Sequence, residues 1–228
     1  MLTGIGSLPF VEVKTAIDYS LKHDIPFLPE LPFKGEAMLD YIKNPGKLSC
    51  LEEFKKHQFN VVKVQSIGPA TLILSGYSED EAISRIYDHV SKILDGLDAG
   101  EIILFLDEPA LGQALFDFGG LWQAIFSSFD VTSGVHTCGN ADWDRIFETD
   151  IEILSFDASQ YNPTLYPKYR SGKRIAWGVK NLEDVKDFVE GDLITPLCGL
   201  GGKNQGYITV ERIFERLEMI KERIINAG

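Results

Sequence analysis

Ile102-Ile103-Leu104-Phe105-Leu106 runs directly into Asp107-Glu108-Pro109. Five apolar residues in a row suit a strand covered on both faces, and the acids and proline that follow end it in a turn. The pattern recurs outward in both directions. Upstream lie runs at residues 2–7, 25–28 and 61–66; downstream lie 131–136, 151–156, 174–177 and 193–197. Between them the spacing turns helical. Ala82, Ile83, Ile86, Val90, Ile93, Leu94 and Leu97 keep to steps of three and four, as do Val210, Ile213, Phe214, Leu217, Ile220 and Ile224. Ser78-Glu79-Asp80-Glu81 places a cap residue and three acids where a helix dipole favours negative charge. Asn44-Pro45-Gly46 is a turn signal separating two helical pieces.

Eight strand runs alternating with helices predict an α/β protein: a single (β/α)8 TIM barrel with short loops, one domain over residues 1–228. A doubly wound open sheet is the competing architecture. Neither Gly4-Ile5-Gly6 nor Gly199-Leu200-Gly201-Gly202 completes a GxGxxG fingerprint, so a dinucleotide site has no support; the second reads as a turn after the last strand.

Composition narrows the function classes. With 44% hydrophobic and 25% charged residues, the 228-residue chain carries enough apolar material for one large core. Its net charge of −12 repels phosphate backbones and anionic lipid, so nucleic acid and membrane surfaces are not expected partners. No run approaches the roughly 18–20 apolar residues that span a bilayer. Three cysteines, an odd count in a chain that opens without a basic signal-like segment, point to reduced thiols and a cytoplasmic setting. Oligomeric state is not encoded in any of these patterns.

In a barrel, reactive groups stand at the C-terminal strand ends. Those ends carry Ser7, Pro29-Glu30, Gln65-Ser66, Asp107-Glu108, His136-Thr137-Cys138, Asp157, Trp177-Gly178 and Cys198. His136 and Cys138 are two apart on a strand, so their side chains share a face. Cys198 ends another strand. One imidazole and two thiolates with an open position is an arrangement of catalytic zinc. The competing reading is a pair of buried cysteines acting as small apolar groups. Cys50 stands at a helix start and reads as structural. His23, His57 and His89 lie in charged helical stretches and read as surface residues. Trp122, Trp143 and Trp177 read as packing groups.

Several segments carry a family resemblance: residues 3–9, 63–72, 106–111 (Leu106-Asp107-Glu108-Pro109-Ala110-Leu111), 135–140 (Val135-His136-Thr137-Cys138-Gly139-Asn140), 154–157 and 197–200. In that order they resemble the catalytic barrel of cobalamin-independent methionine synthase. The wider superfamily includes uroporphyrinogen decarboxylase and the methylcobamide:thiol methyltransferases. The resemblance implies a zinc-dependent methyltransferase acting on a thiol, with homocysteine as acceptor and His136, Cys138 and Cys198 as Zn2+ ligands. Asp157 falls where methionine synthases carry a glutamate ligand, as a shorter fourth ligand or none. Ile5, Gly6 and Ser7 match the segment that holds the substrate carboxylate. Asp107 matches the carboxylate that holds the ammonium, with Glu30 or Glu36 as a second candidate.

The sequence departs from the family in three ways. The large N-terminal half of the plant and bacterial enzymes is absent. The family's general-acid histidine is missing after the seventh strand, where Glu183 is a weak substitute. Gln113 replaces a glutamate. The motif at 136–140 resembles the methylcobamide:thiol enzymes as closely, so the resemblance implies a methyl donor that is either methylcobalamin, free or on a corrinoid protein, or methyltetrahydrofolate. Two alternatives follow: a uroporphyrinogen decarboxylase-like enzyme, or a non-catalytic zinc- or corrinoid-protein-binding module.

Overall fold

The computed structural model describes residues 1–202 and 206–227. Its centre is a curled half-barrel of six parallel strands, β1 (Gln58–Ile67), β2 (Asp98–Asp107), β3 (Thr132–Thr137), β4 (Ile153–Asp157), β5 (Arg174–Gly178) and β6 (Leu193–Thr195). They lie side by side in chain order. All five pairings are parallel, as helical crossovers between consecutive strands require.

Eight helices accompany them among the described residues: α1 (Val13–Ser20), α2 (Met38–Tyr41), α3 (Leu51–Phe54), α4 (Pro69–Leu74), α5 (Glu79–Leu94), α6 (Phe118–Phe126), α7 (Trp143–Phe147) and α8 (Tyr207–Ala227). Side-chain caps start three of them. Ser78 accepts from Glu81 N, Asp117 from Gly120 N and Asp142 from Arg145 N, each satisfying an N–H that the helix itself leaves free. No helix among the described residues is long and apolar enough to cross a membrane.

The expected first two strands, 2–7 and 25–28, are not strands. They make isolated parallel bridges instead: Leu2 with Ile194, Ser7 with Glu30, and Phe27 with Lys63. The sheet therefore has six strands rather than eight. Local chemistry explains the difference. Pro9, Pro26 and Pro29 lack a donor N–H, and Gly4 and Gly6 weaken any ladder through them. Backbone pairing still runs along them: Thr3 N donates to Ile194 O and Ile194 N to Met1 O, Ile25 N to Leu2 O, Leu8 N to Glu30 O and Glu30 N to Gly6 O, Leu28 N to Lys63 O and Lys63 N to Pro26 O.

Strand alternation divides the core in two. Outward residues such as Val62, Val64, Leu104, Leu106, Leu154 and Trp177 pack under the helices in one large cluster. Inward residues Ile25, Ile103, Phe105, Ile153, Ala176 and Leu193 form a small apolar plug inside the curl. Each aliphatic side chain fully buried this way contributes about 1.5–3 kcal/mol. Above the plug, toward the C-terminal strand ends, the inward positions turn polar. That change of character marks the floor of the site.

Two histidines expected at the surface belong to the outer layer. His23 is 5% exposed among Tyr19, Phe27 and Phe214, and His89 is fully buried, stacked on Tyr41 at 4.5 Å. Burial lowers both to about 4, so each packs as a neutral aromatic ring.

Candidate metal centre

Register places the polar inward residues. Asp107 of β2 is opposite His136 of β3, and His136 is opposite Ser155 of β4. Three neighbouring strands thus present carboxylate, imidazole and hydroxyl in one row. Lys63 and Gln65 of β1 face the same interior. The buried Lys63 Nζ donates to Ile5 O at 2.5 Å and Gln65 Oε1 at 3.2 Å, and lies 4.8 Å from the Phe105 ring centre. Gln65 Nε2 donates to Leu28 O at 2.8 Å and Glu30 Oε1 at 3.1 Å.

At the end of β3, His136 and Cys138 meet Cys198 from the loop after β6. Their ligand atoms all lie within 4.8 Å of one another. Tetrahedral zinc, with bonds of about 2.0 and 2.3 Å, needs about 3.5–3.8 Å between such atoms, a small contraction for exposed Cys198. Ser155 Oγ lies 3.0 Å from His136 Nδ1. That contact occupies one ring nitrogen and leaves Nε2 for the cluster, as metal-binding histidines require. Nε2 is buried and makes no hydrogen bond of ordinary geometry, although the imidazole is near enough to pull the Cys198 thiol down. A hydrogen bond between the thiols dominates both: it lowers Cys138 to about 7 and pushes Cys198 up to about 12. One sulfur is thus readied as a thiolate, the form that binds metals. The residues fit a soft, borderline ion such as zinc.

Around this cluster the interior carries unusual charge. Asp107 is buried, its Oδ1 has no partner, and burial raises its carboxyl. Glu30 is raised to about 8 by burial, with the Asp107 charge adding to it. Desolvation lowers Lys63 to about 8. Thr195 Oγ1, at the end of β6, is also buried without a partner. Asp107 and Glu108 are both buried, so the acidic end of β2 is not a solvated turn.

The other sequence candidates separate clearly. Ile5, Gly6 and Ser7 lie along this interior: Ile5 O accepts from Lys63, Gly6 O from Glu30 N, and Ser7 O from Leu200 N. A Cβ on Gly199 would stand 2.1 Å from Ser7 Oγ, so a larger residue there would displace the Ser7 hydroxyl from the loop carrying Cys198. Glu36 has no free oxygen to offer. Its carboxylate accepts from Leu31 N at 2.9 Å and Ser49 N at 2.7 Å, and so clamps a loop. Asp157 is not brought into the cluster either: Ser159 N and Oγ hold its Oδ1, and Gln160 Nε2 holds its Oδ2. Glu183 is exposed on the turn after β5, beside a depression that Lys180, Arg216 and Arg223 also line but no metal-cluster residue does.

Lys63, Gln65, Ser155 and Thr195 received no site role from sequence. The signal was there for the first two, since Lys63 and Gln65 interrupt an apolar strand at a spacing of two, which turns both to the face opposite Val62 and Val64. Ser155 and Thr195 carry no such signal, because small hydroxyls occur anywhere in strands.

No protein-family model and no curated protein matches the chain.

Proposed function

We propose that the chain is a zinc-dependent methyltransferase that methylates a thiol, with homocysteine as first acceptor. The observation that supports this is the convergence of His136, Cys138 and Cys198 beside Asp107, whose Oδ1 has no partner. Those three residues would hold the ion. When bound, it supplies a Lewis acid that keeps a substrate thiol deprotonated at neutral pH. The protein's own groups do the rest. Ser155 orients the imidazole through its contact with Nδ1. Asp107 Oδ1 faces the interior with hydrogen-bonding capacity to spare, suited to a substrate ammonium. Lys63, bonded to the Ile5 carbonyl, opposes the charge of Asp107 and steadies the segment carrying Ser7. Orientation of this kind lowers a barrier without any new chemistry. The donor is methylcobalamin, free or on a corrinoid protein, or methyltetrahydrofolate.

The same reading takes residues 2–7 and 25–28 as the remaining two staves of a (β/α)8 architecture. The bridges Leu2–Ile194, Ser7–Glu30 and Phe27–Lys63, which run from β6 round to β1, support it.

The test is direct. Reduced protein reconstituted with zinc is expected to hold one ion per chain and to convert homocysteine to methionine with one of the two donors. Cys138→Ser and Cys198→Ser should each abolish stoichiometric zinc. Protein that takes up no zinc, or activity indifferent to chelation, would overturn the reading.

A further inference from the structure

Beside Cys198, between the loops after β5 and β6 and one face of α8, lies a cavity of about 390 Å3. That is within the range of small-ligand sites, about 300–1,000 Å3. Ile213, Arg216 and Leu217 reach it from α8 at a spacing that puts them on one helix face. Val179 and Leu200 complete an apolar wall. Two cations, Lys180 and Arg216, stand on its lining, and neither side chain forms an ion pair or hydrogen bond among the described residues. In a chain of net charge −12, two uncommitted cations beside a metal-ligating cysteine are unexpected. The one acid on the wall, Asp157, spends its carboxylate on Ser159 and Gln160. Glu183 belongs to the adjoining depression. In a (β/α)8 barrel, the architecture proposed above, the loops after the last two strands are a recurrent place for phosphate groups.

We propose that this cavity seats the anionic end of the small molecule that reaches the metal cluster. Lys180 and Arg216 hold a carboxylate or comparable oxyanion, and the molecule's apolar body lies against Val179, Leu200, Ile213 and Leu217. The inference rests on the thiol-methyltransferase reading only for which end of the ligand faces Cys198. It makes the ligand an acid with an apolar spacer.

The experiment uses mercaptoalkanoic acids of three, four and six carbons against their neutral amides, titrated calorimetrically into the zinc-loaded protein. The acid is expected to bind about 10-fold more tightly than its amide at the chain length that spans the cavity. In Lys180→Gln/Arg216→Gln, both exposed positions, that preference should vanish while amide affinity stays unchanged. Equal affinity of acid and amide at every length, or a preference that persists in the double variant, overturns the proposal. Cobalt-substituted protein separates it from the metal reading. A thiol-dependent change in the cobalt spectrum without acid preference sinks the cavity proposal alone. A cation-dependent acid preference without spectral change supports the cavity and sinks the thiol-at-metal reading.

Discussion

Glu108 and Asp107 are neighbours at the end of β2, and the fold treats their carboxylates in opposite ways. Glu108 points outward beneath the helices and accepts four hydrogen bonds: Ala70 N at 3.0 Å, Thr71 N at 2.7 Å, Thr71 Oγ1 at 2.6 Å and Trp122 Nε1 at 2.9 Å. Asp192 repeats the device between β5 and β6, gathering Arg170, Ile175 N, Trp177 Nε1 and Val189 N. Asp107 points inward, and its Oδ1 has nothing. Both layers bury carboxylates, yet those of Glu108 and Asp192 in the outer layer are satisfied and Asp107 Oδ1 is not. A buried polar atom without a partner costs about 1–3 kcal/mol, more when charged. Of the five buried side-chain atoms without a hydrogen-bond partner among the described residues, three, His136 Nε2, Asp107 Oδ1 and Thr195 Oγ1, gather on the interior at the strand ends, where a ligand would complete them; His89 Nε2 and Arg170 Nε belong to the outer layer.

The largest test of this contrast is Glu108→Ala. It strands two backbone donors and an indole N–H, and should cost about 3–5 kcal/mol in chemical denaturation. A loss under about 1 kcal/mol would mean that the outer layer is no better satisfied than the inner.

Acid comes next, and it acts on the outer layer through His23 and His89. Unfolded imidazoles hold a proton below about 6.5 and these folded ones only below about 4. Between those values the unfolded chain binds more protons, so stability rises with pH and falls on acidification. The loss approaches about 3 kcal/mol per histidine as pH drops from 7 to 4. His89→Gln keeps an acceptor for Gly46 N and should flatten the acid limb of the stability–pH curve; an unaltered slope would assign it to other groups.

Within the inner layer, Ser155→Ala should leave stability nearly unchanged and weaken zinc binding about 10- to 100-fold, because the imidazole loses the contact that orients it. Unchanged affinity in a competition titration would show that the strand alone orients His136.

The smallest stability effect belongs to Asp107→Asn, the counterpart of Glu108→Ala. Removing an underpartnered charge should shift unfolding free energy by less than about 1 kcal/mol. Homocysteine affinity of the zinc-loaded protein should fall about 10- to 150-fold, from loss of a charge-assisted hydrogen bond. If stability collapsed instead, Asp107 would belong with Glu108.

These examples show how far a sequence can be read. The six strands were legible because buried parallel strands are apolar along their length, as residues 102–106 within β2 illustrate. Residues 2–7 carry only Leu2 and Ile5 as large apolar side chains, residues 25–28 include Pro26, and the glycines and prolines in and beside these runs leave isolated bridges in place of strands. His136, Cys138 and Cys198 were legible because a spacing of two and a strand-end position are local properties. Whether a carboxylate is free is not local. Glu36 and Asp107 look alike as letters, and only the fold brings Leu31 N and Ser49 N to one of them.

The bridge between Leu2 and Ile194 joins residues near opposite ends of the described chain. Such a contact closes late, because the loop entropy must be met before the contact is made. Residues 2–7 have no partner on one side until β6 exists, and Cys198 follows β6 directly. On the proposed metal role, the part of the chain that pairs with Leu2 is also the part that brings Cys198 to His136 and Cys138. A chain interrupted before β6 would hold His136 and Cys138 with no third ligand, so only a completed fold can commit an ion.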